Sequence, residues 1–278
     1  MSTHTVRHEV LGPWSLDTSR EFWEGFAPAA LTAEQRPGTL STVFRVDGDW
    51  STAHLAVIQR DTVAELSLEG DGDLESAAEQ AARFLALDVD AQQWPGIGDR
   101  DEVIGRAQHA LPGLRPCGFH SAYEAAAWAV LSQRIRVEQA AHLRQRVIAD
   151  HGDDGAFPAP ERLAALHLDL PGRKAEYLHA VADAALDGRL DTARLRSMTP
   201  EDAMDSVRSI TGIGPFAAEL IVLRGANAPD AVPTHERRLA AEVAELYGPD
   251  RSVAEVSELW RPFRTWASVY LRALAERR

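Results

Sequence analysis

The sequence has 278 residues, 45% of them hydrophobic and 26% charged, which is typical of a globular protein with one large or two modest domains. It contains no run of 18 apolar residues, and its first residues lack the layout of a signal peptide. We therefore expect no membrane span and a cytoplasmic location, at the nucleoid if the cell is a prokaryote. The single cysteine, Cys117, excludes an internal disulfide and sites built on several cysteines.

The charge is unevenly distributed along the chain. The formal net charge is −13, and residues 1–100 hold 17 of the 42 acidic residues but only 7 of the 29 basic ones. The remaining residues are nearly neutral. This acidity argues against unspecific wrapping of nucleic acid, but it allows a local DNA-binding patch.

The first third of the chain has strand and helix signals. Three segments rich in β-branched residues, separated by short turns, predict an antiparallel meander over residues 39–46, 52–59 and 62–69. Helical patterns flank it at 16–26 and 74–87. We predict a small α+β domain with an antiparallel sheet over residues 1–95.

The rest of the chain is predicted to be an all-α domain over residues 96–278. A connector is expected at 88–118, and from Ser121 onward one amphipathic helix follows another. Ser121 and Glu124 have the spacing of a capping box. Thr199 and Pro200 give a cap followed by a proline at the first helical position.

The most informative segment is 206–225, which contains Gly-Ile-Gly at 212–214. A dinucleotide-binding fingerprint needs a strand before its glycines, whereas the residues before this one have helical spacing. The pattern predicts a helix, a tight hairpin and a second helix beginning at Pro215. Its glycines and free N–H groups can approach a DNA phosphate, although an ordinary packing corner has the same pattern.

The hairpin segment, ITGIGPFAA at 210–218, resembles that of the helix-hairpin-helix DNA glycosylases. Further segments resemble the alkylation-repair branch, whose members remove methylated purines, in the expected order. These are GLRP at 113–116, YEAAAWAVLSQRI at 123–135, FPAPERL at 157–163, RKAE at 173–176 and WRPFRTW at 260–266. The small α+β domain in front also suits that branch.

The resemblance implies a set of DNA-binding residues. In the hairpin they are Thr211, Gly212, Ile213, Gly214, Phe216 and Ala217, and in the segment that enters the DNA they are Gln133 and Arg134. Arg134 either fills the gap left by a flipped-out nucleotide or is a solvated arginine at a helix end. Phe216 is at the place where bifunctional relatives carry a catalytic lysine, so the resemblance implies a monofunctional enzyme. Phe216 itself either lines the base pocket or belongs to the core.

The family's catalytic aspartate has no obvious counterpart. One alignment puts Pro233 at its position, and a shift of two or three residues brings His235 or Glu236 there. Either Glu236 or His235 supplies the catalytic group, or a cationic alkylated base leaves without a carboxylate. In that case, aromatic faces would attract the base. The aromatic residues expected at the base pocket are Phe119, Tyr123, Trp128 and Trp266.

No catalytic metal is expected, because the histidines lack ligand spacing. The resemblance implies that hairpin carbonyls near Ile210 and Ile213 can hold a monovalent cation in a structural role. We therefore predict a monomeric, monofunctional DNA glycosylase of base-excision repair, with no organic cofactor. It would flip N3- and N7-alkylated purines out of duplex DNA and hydrolyse the N-glycosidic bond. The alternative is a catalytically degenerate protein that binds damaged or structured DNA.

Overall fold

The computed structural model describes residues 1–29 and 35–277. The elements of its N-terminal part are β1 (Ser2–Glu9), α1 (Leu16–Glu24), β2 (Thr39–Arg45), β3 (Thr52–Arg60), β4 (Val63–Gly70) and α2 (Leu74–Phe84). The four strands form an antiparallel sheet in the order β1-β4-β3-β2. The predicted meander and its two flanking helices are confirmed. Alternate side chains of β2, β3 and β4 are buried, which is the period-2 pattern that predicted them.

The first strand was not predicted. β1 pairs with β4 along its whole length, from Ser2 opposite Gly70 to Glu9 opposite Val63. It is an edge strand, and its inward-facing side chains are only half-buried. Only one of those side chains, Val6, is aliphatic, so the sequence lacks the apolar alternation that marks a buried strand.

The remainder of the described chain is helical. Its helices are α3 (Pro95–Arg100), α4 (Glu102–Ala110), α5 (Ala122–Leu131), α6 (Val137–His151), α7 (Pro160–Ala165), α8 (Lys174–Leu186), α9 (Thr192–Ser197), α10 (Pro200–Arg208), α11 (Pro215–Leu220), α12 (Arg237–Tyr247), α13 (Val253–Ser257) and α14 (Arg264–Ala275). The chain therefore has a small α+β part followed by a helical part, as predicted. The expected connector at 88–118 is wrong in part, since it contains α3 and α4. Within residues 1–29 and 35–277, no helix is long and apolar enough to cross a membrane.

Two hydrophobic cores hold these elements together. The first joins the sheet to the helices of the middle of the chain, from α5 to α11. The second joins α3 and α4 to residues of α12, α13 and α14, around Trp94, Trp260 and Trp266. The sheet thus shares its core with the hairpin region, and the last helices pack on a separate core beside it.

Local capping signals explain where several helices begin. The Ser121 hydroxyl accepts the N–H of Glu124, and the Thr199 hydroxyl accepts the N–H of Asp202, as predicted. The second half of the predicted capping box is wrong. Instead of turning back to Ser121, the buried Glu124 carboxylate pairs with Arg144 at 2.6 Å. This pair links α5 to α6.

Candidate active site

The predicted hairpin connects α10 to α11. Gly212 has a φ of +92°, and a Cβ added there would lie 2.4 Å from the ring of Tyr177. Gly214 is extended, with no atom within 4 Å of the place of a Cβ. Glycine is therefore required at 212 for conformation and for space, whereas at 214 it leaves the backbone open to solvent.

The hairpin exposes some of the predicted DNA-binding residues and buries others. Thr211, Gly214 and Phe216 are exposed, whereas the side chains of Ile213 and Ala217 are buried. Ile213 and Ala217 can therefore offer mainly backbone groups to a ligand. The first amides of α11 have no acceptor within the helix and are available to an external one. The helix then continues into a π-helical turn, Ile221–Gly225, a feature often found at functional sites.

The loop after α5 lies against the hairpin. The side-chain amide of Gln133 donates to the Gly212 carbonyl at 2.9 Å. The next residue, Arg134, is exposed and has a φ of +57°, a conformation that non-glycine residues rarely adopt. Arg134 is thus presented to solvent beside the hairpin.

A cleft of about 300 Å³ opens next to the hairpin, between α1, α5, α11 and α14. It lies at the carboxyl end of α1 and within reach of the turn before α12. Its aromatic lining residues are Phe22, Phe26, Trp128 and Phe216. Phe216, at the cleft mouth on the first turn of α11, is 51% exposed. The cleft therefore joins the hairpin surface to a partly aromatic cavity.

The aromatic pocket expected from the sequence needs correction. Of the four residues proposed for it, Trp128 lines the cleft, and the other three are fully or almost fully buried elsewhere. The Tyr123 hydroxyl donates to the Pro158 carbonyl at 2.9 Å, and Phe119 packs edge-on against Phe26. Trp266 packs against Trp94 in the second core. Those three rings belong to the hydrophobic cores, with Phe119 and Tyr123 in the first core and Trp266 in the second.

Glu236 is the predicted carboxylate that the structure brings into the cleft. It is the residue immediately before α12, and its Oε1 lies 3.0 Å from Nε of Arg272 on α14. Burial raises the pKa of the Glu236 carboxyl, and the charges of the nearby arginines oppose this shift. The arginines that do so are Arg272, Arg224 and Arg238. A partly desolvated carboxylate is therefore fixed at the cleft wall.

Arg224, from the π-helical turn, is the other notable charge in the cleft. Its guanidinium lies 4.7 Å from the ring centre of Phe26 and 5.6 Å from that of Phe22. It also donates to the Cys117 carbonyl at 2.5 Å. Burial lowers the pKa of Arg224 to about 10. One face of each phenylalanine is thus already occupied by a cation of the protein itself.

His235 points to a different partner. Its Nδ1 lies 2.7 Å from Oε1 of Glu219, and its side chain is 53% exposed. The buried Glu219 carboxylate also accepts the backbone N–H groups of Thr234 and His235, both at 2.9 Å, and the Thr234 hydroxyl at 2.7 Å. Glu219, which sequence reasoning missed, therefore fixes the two residues that precede Glu236. The sequence around Glu219 is equally compatible with a glutamate exposed to solvent, so its burial could not be predicted from the sequence.

Two further residues of this turn have clear positions. Pro233 lines the cleft but has no ionisable group. Asp230 forms an ion pair with Arg264 at 2.7 Å and lies outside the lining of the cleft. Glu236 and Glu219 are thus the carboxylates that this part of the chain brings to the cleft wall, together with Glu276 from the end of α14.

A structural cation at the hairpin stays a prediction. The Ile210 carbonyl accepts the N–H of Ile213 at 3.0 Å, and a carbonyl oxygen has a second lone pair that a cation can use. Among the residues that the structure describes, no group of three His, Cys, Asp or Glu side chains could hold a metal ion.

Known proteins similar in sequence carry glycosylase names. Over 167 residues the chain is 36% identical to "DNA-3-methyladenine glycosylase 2" of Escherichia coli K12, which covers 55% of this chain and 57% of that protein. Over 182 residues it is 26% identical to "DNA-3-methyladenine glycosylase" of Bacillus subtilis 168, covering 60% of each. The chain thus spans 57% to 60% of the length of these two relatives. No protein-family model matches it.

Solved structures extend the similarity over nearly the whole chain. The 3-methyladenine DNA glycosylase of Archaeoglobus fulgidus aligns with a TM-score of 0.74 at 19% identity, covering 96% of both chains. An 8-oxoguanine glycosylase/lyase of Clostridium acetobutylicum, in complex with DNA, aligns with a TM-score of 0.68 at 15% identity, covering 99% of this chain and 98% of that one. The chain is similar to helix-hairpin-helix DNA glycosylases, in part of its sequence and over nearly all of its fold. Its sequence relatives are of the alkylation-repair branch.

The resemblance puts Phe216 where bifunctional relatives carry a catalytic lysine, and this equivalence stays a prediction. In the structure, Phe216 lies at the mouth of the cleft. The only lysine of the sequence, Lys174, is buried, and its ammonium donates to three backbone carbonyls. Burial lowers the pKa of Lys174. Its amine is therefore enclosed by the fold.

Proposed function

We propose that this chain is a monofunctional DNA glycosylase of base-excision repair, acting on N3- and N7-alkylated purines in duplex DNA. The observation that carries the proposal is the partly buried carboxylate of Glu236, held in an aromatic-lined cleft that opens beside the hairpin. Small-molecule sites in proteins have volumes of about 300–1,000 Å³. A cleft of about 300 Å³ suits a single flipped base.

The DNA would be bound through the hairpin and the loop beside it. Gly214 and the first amides of α11 offer N–H groups to a phosphate, so a basic surface is not needed. This agrees with a net charge of −13. Arg134 would enter the duplex and fill the gap left by the flipped nucleotide, since it is exposed next to the hairpin.

In the cleft, the flipped base would stack on the aromatic residues. Trp128 and Phe216 offer faces, and Arg224 already occupies one face each of Phe22 and Phe26. The negative charge of Glu236 would stabilise the positive charge that develops on the sugar. Water then adds to C1′ as the N-glycosidic bond breaks, and the bonding electrons leave with the base. The proton lost by the water passes to solvent, because Glu236 must remain ionised in this role.

The test is base release from methylated duplex DNA. Purified protein should liberate free 3-methyladenine and 7-methylguanine, detected by chromatography, and leave abasic sites that break only on heating in alkali. Neutral lesions such as hypoxanthine and uracil should be released far more slowly, since a neutral base needs protonation before it can leave. Efficient release of uracil but not of methylated purines would overturn the assigned substrate class.

The second candidate function is binding of damaged DNA without cleavage. It is favoured by the Glu236–Arg272 ion pair, because a carboxylate whose charge is partly neutralised stabilises a sugar cation less well. The same experiment separates the two candidates. Tight binding to alkylated or abasic duplex without any base release would establish a lesion-binding protein.

A further inference from the structure

Lys174 has an unusual environment. It is the only lysine among 29 basic residues, and it is the first residue of α8. Its Nζ donates to the carbonyls of Val130 at 3.0 Å, Leu131 at 2.8 Å and Gln133 at 2.8 Å. The side chain is 6% exposed. A buried ammonium is thus held by three backbone carbonyls.

Those three acceptors lie at one place, the end of α5 and the loop that follows. The last carbonyls of a helix lack partners within the helix and carry the negative end of its dipole. An ammonium has three donors around one point, which fits three converging carbonyls, whereas a planar guanidinium does not. Lysine therefore has a geometric reason to be present at 174 in a chain whose other basic residues are arginines.

The same turn of α8 also supports the hairpin. Tyr177, one turn after Lys174, packs against Gly212 so closely that a Cβ there would lie 2.4 Å from its ring. Gln133, whose carbonyl Lys174 binds, donates its side-chain amide to the Gly212 carbonyl. The first turn of α8 thus contacts both the hairpin and the loop that presents Arg134.

We propose that Lys174 is a positioning residue that holds the loop at 132–136 at a fixed offset from the hairpin. Arg134, at the exposed part of that loop, then meets the duplex where the hairpin binds its backbone. The φ of +57° at Arg134 supports this role, since such a conformation persists only where the surrounding structure imposes it. The inference rests on the proposed DNA-glycosylase function and adds a residue that does not touch the DNA.

The test compares two DNA duplexes that differ only in a central tetrahydrofuran abasic site. A side chain inserted into the duplex fits best where a base is missing, so insertion raises the affinity for the abasic duplex. Binding through the hairpin contributes equally to the affinity for both duplexes. Lys174→Met should lower the ratio of abasic to intact affinity by tenfold or more, with affinity for intact duplex within twofold of wild type. Lys174→Arg should recover part of the ratio. Glu176→Gln, on the exposed side of the same turn, is the matched control and should equal wild type.

The outcomes separate this inference from the proposed function. A Lys174→Met protein that keeps the wild-type preference overturns the role of Lys174 alone, as does an equal loss of affinity for both duplexes. A wild-type protein without any preference for the abasic duplex contradicts the insertion of Arg134, and this inference with it, whereas release of methylated purines tests the proposed function separately.

A second measurement needs no substitution, and therefore covers the case in which Lys174→Met does not fold. Protein labelled with ¹⁵N-lysine has one side-chain ammonium, so its NMR spectrum should contain a single Nζ signal, slowed in hydrogen exchange by its three carbonyl partners. Abasic duplex should shift this signal more than intact duplex does, because the loop bears the inserted residue. Equal shifts with both duplexes would contradict the role.

Discussion

Arg272 of α14 and Glu236 before α12 form an ion pair across the cleft wall, with 3.0 Å between Nε and Oε1. The same guanidinium lies 3.3 Å from Oε1 of Glu276. Arg272 therefore shares its charge between two carboxylates, one 30% exposed and the other 65% exposed. This arrangement keeps Glu236 in place and leaves it more desolvated than its neighbour.

The first prediction concerns Glu236 itself. Glu236→Gln preserves shape but removes the charge, so single-turnover base release should fall by about two orders of magnitude or more, the range assigned to a positioned charged or acid–base group. Binding to abasic duplex should change little. Glu276→Gln is the matched control, because Glu276 pairs with the same arginine and also lines the cleft. It should retain nearly full activity.

A smaller effect has a defined meaning. If Glu236→Gln slows base release only a few-fold, catalysis depends on flipping and stacking of a cationic base, and Glu236 is not the group that stabilises the sugar. Equal losses in Glu236→Gln and Glu276→Gln would assign the effect to the freed Arg272.

The pH dependence follows from the raised pKa of Glu236. Burial disfavours the ionised form, so protonation occurs at a higher pH than for an ordinary glutamate. Base release should therefore decline as the pH falls through this raised value, because the protonated acid has no charge to stabilise the sugar.

Arg272→Met removes a cation that lowers the pKa of Glu236, and it should move the decline to higher pH. Single-turnover rates between pH 4.5 and 8 would measure both effects. A decline at the same pH in both proteins would exclude Glu236 as the titrating group.

Two glycines of the hairpin should respond differently to substitution. Gly214→Asp has room in the fold but places a negative charge where phosphate would bind, so duplex affinity should fall while the thermal unfolding temperature stays close to wild type. Gly214→Ala separates bulk from charge. Gly212→Ala should instead lower stability, by more than about 1 kcal/mol, because of its positive φ and the Tyr177 ring. Unchanged duplex affinity in a folded Gly214→Asp protein would show that the hairpin does not bind DNA.

The local features of this chain could be read from its sequence. The meander, the caps at Ser121 and Thr199, and the hairpin each depend on neighbouring residues, and all of them are present. Edge strand β1 was missed because only one of its half-buried side chains, Val6, is aliphatic, so the sequence has no apolar alternation. The correct predictions and the missed strand have the same cause. Sequence signals depend on local conformation and on the burial of apolar side chains, and β1 has few apolar side chains.

The candidate site was harder to predict, because it is assembled from distant segments. Phe22 and Phe26 line the cleft although they precede Trp128 by about a hundred residues. Glu219 accepts hydrogen bonds from the backbone N–H groups of Thr234 and His235, and the spacing of these residues along the sequence does not predict that contact. Which aromatic rings are core and which line a cavity depends on the packing of whole helices, and periodicity along one helix does not contain that information.

The last prediction concerns covalent chemistry. A glycosylase that also cleaves the strand attacks the sugar with an amine, and borohydride traps the resulting Schiff base. Wild-type protein should give no trapped adduct on any lesion, because Phe216 has no amine and the Lys174 ammonium is held by three carbonyls. Phe216→Lys places an amine at the cleft mouth, where the native side chain is half exposed, and should give a trapped adduct with abasic duplex. Leu186→Lys, at an exposed position of α8 outside the cleft lining, is the control for an added lysine and should give none. Trapping by wild-type protein would contradict the monofunctional proposal. If Phe216→Lys retains its DNA affinity but gives no trapped adduct, the reacting sugar lies away from α11.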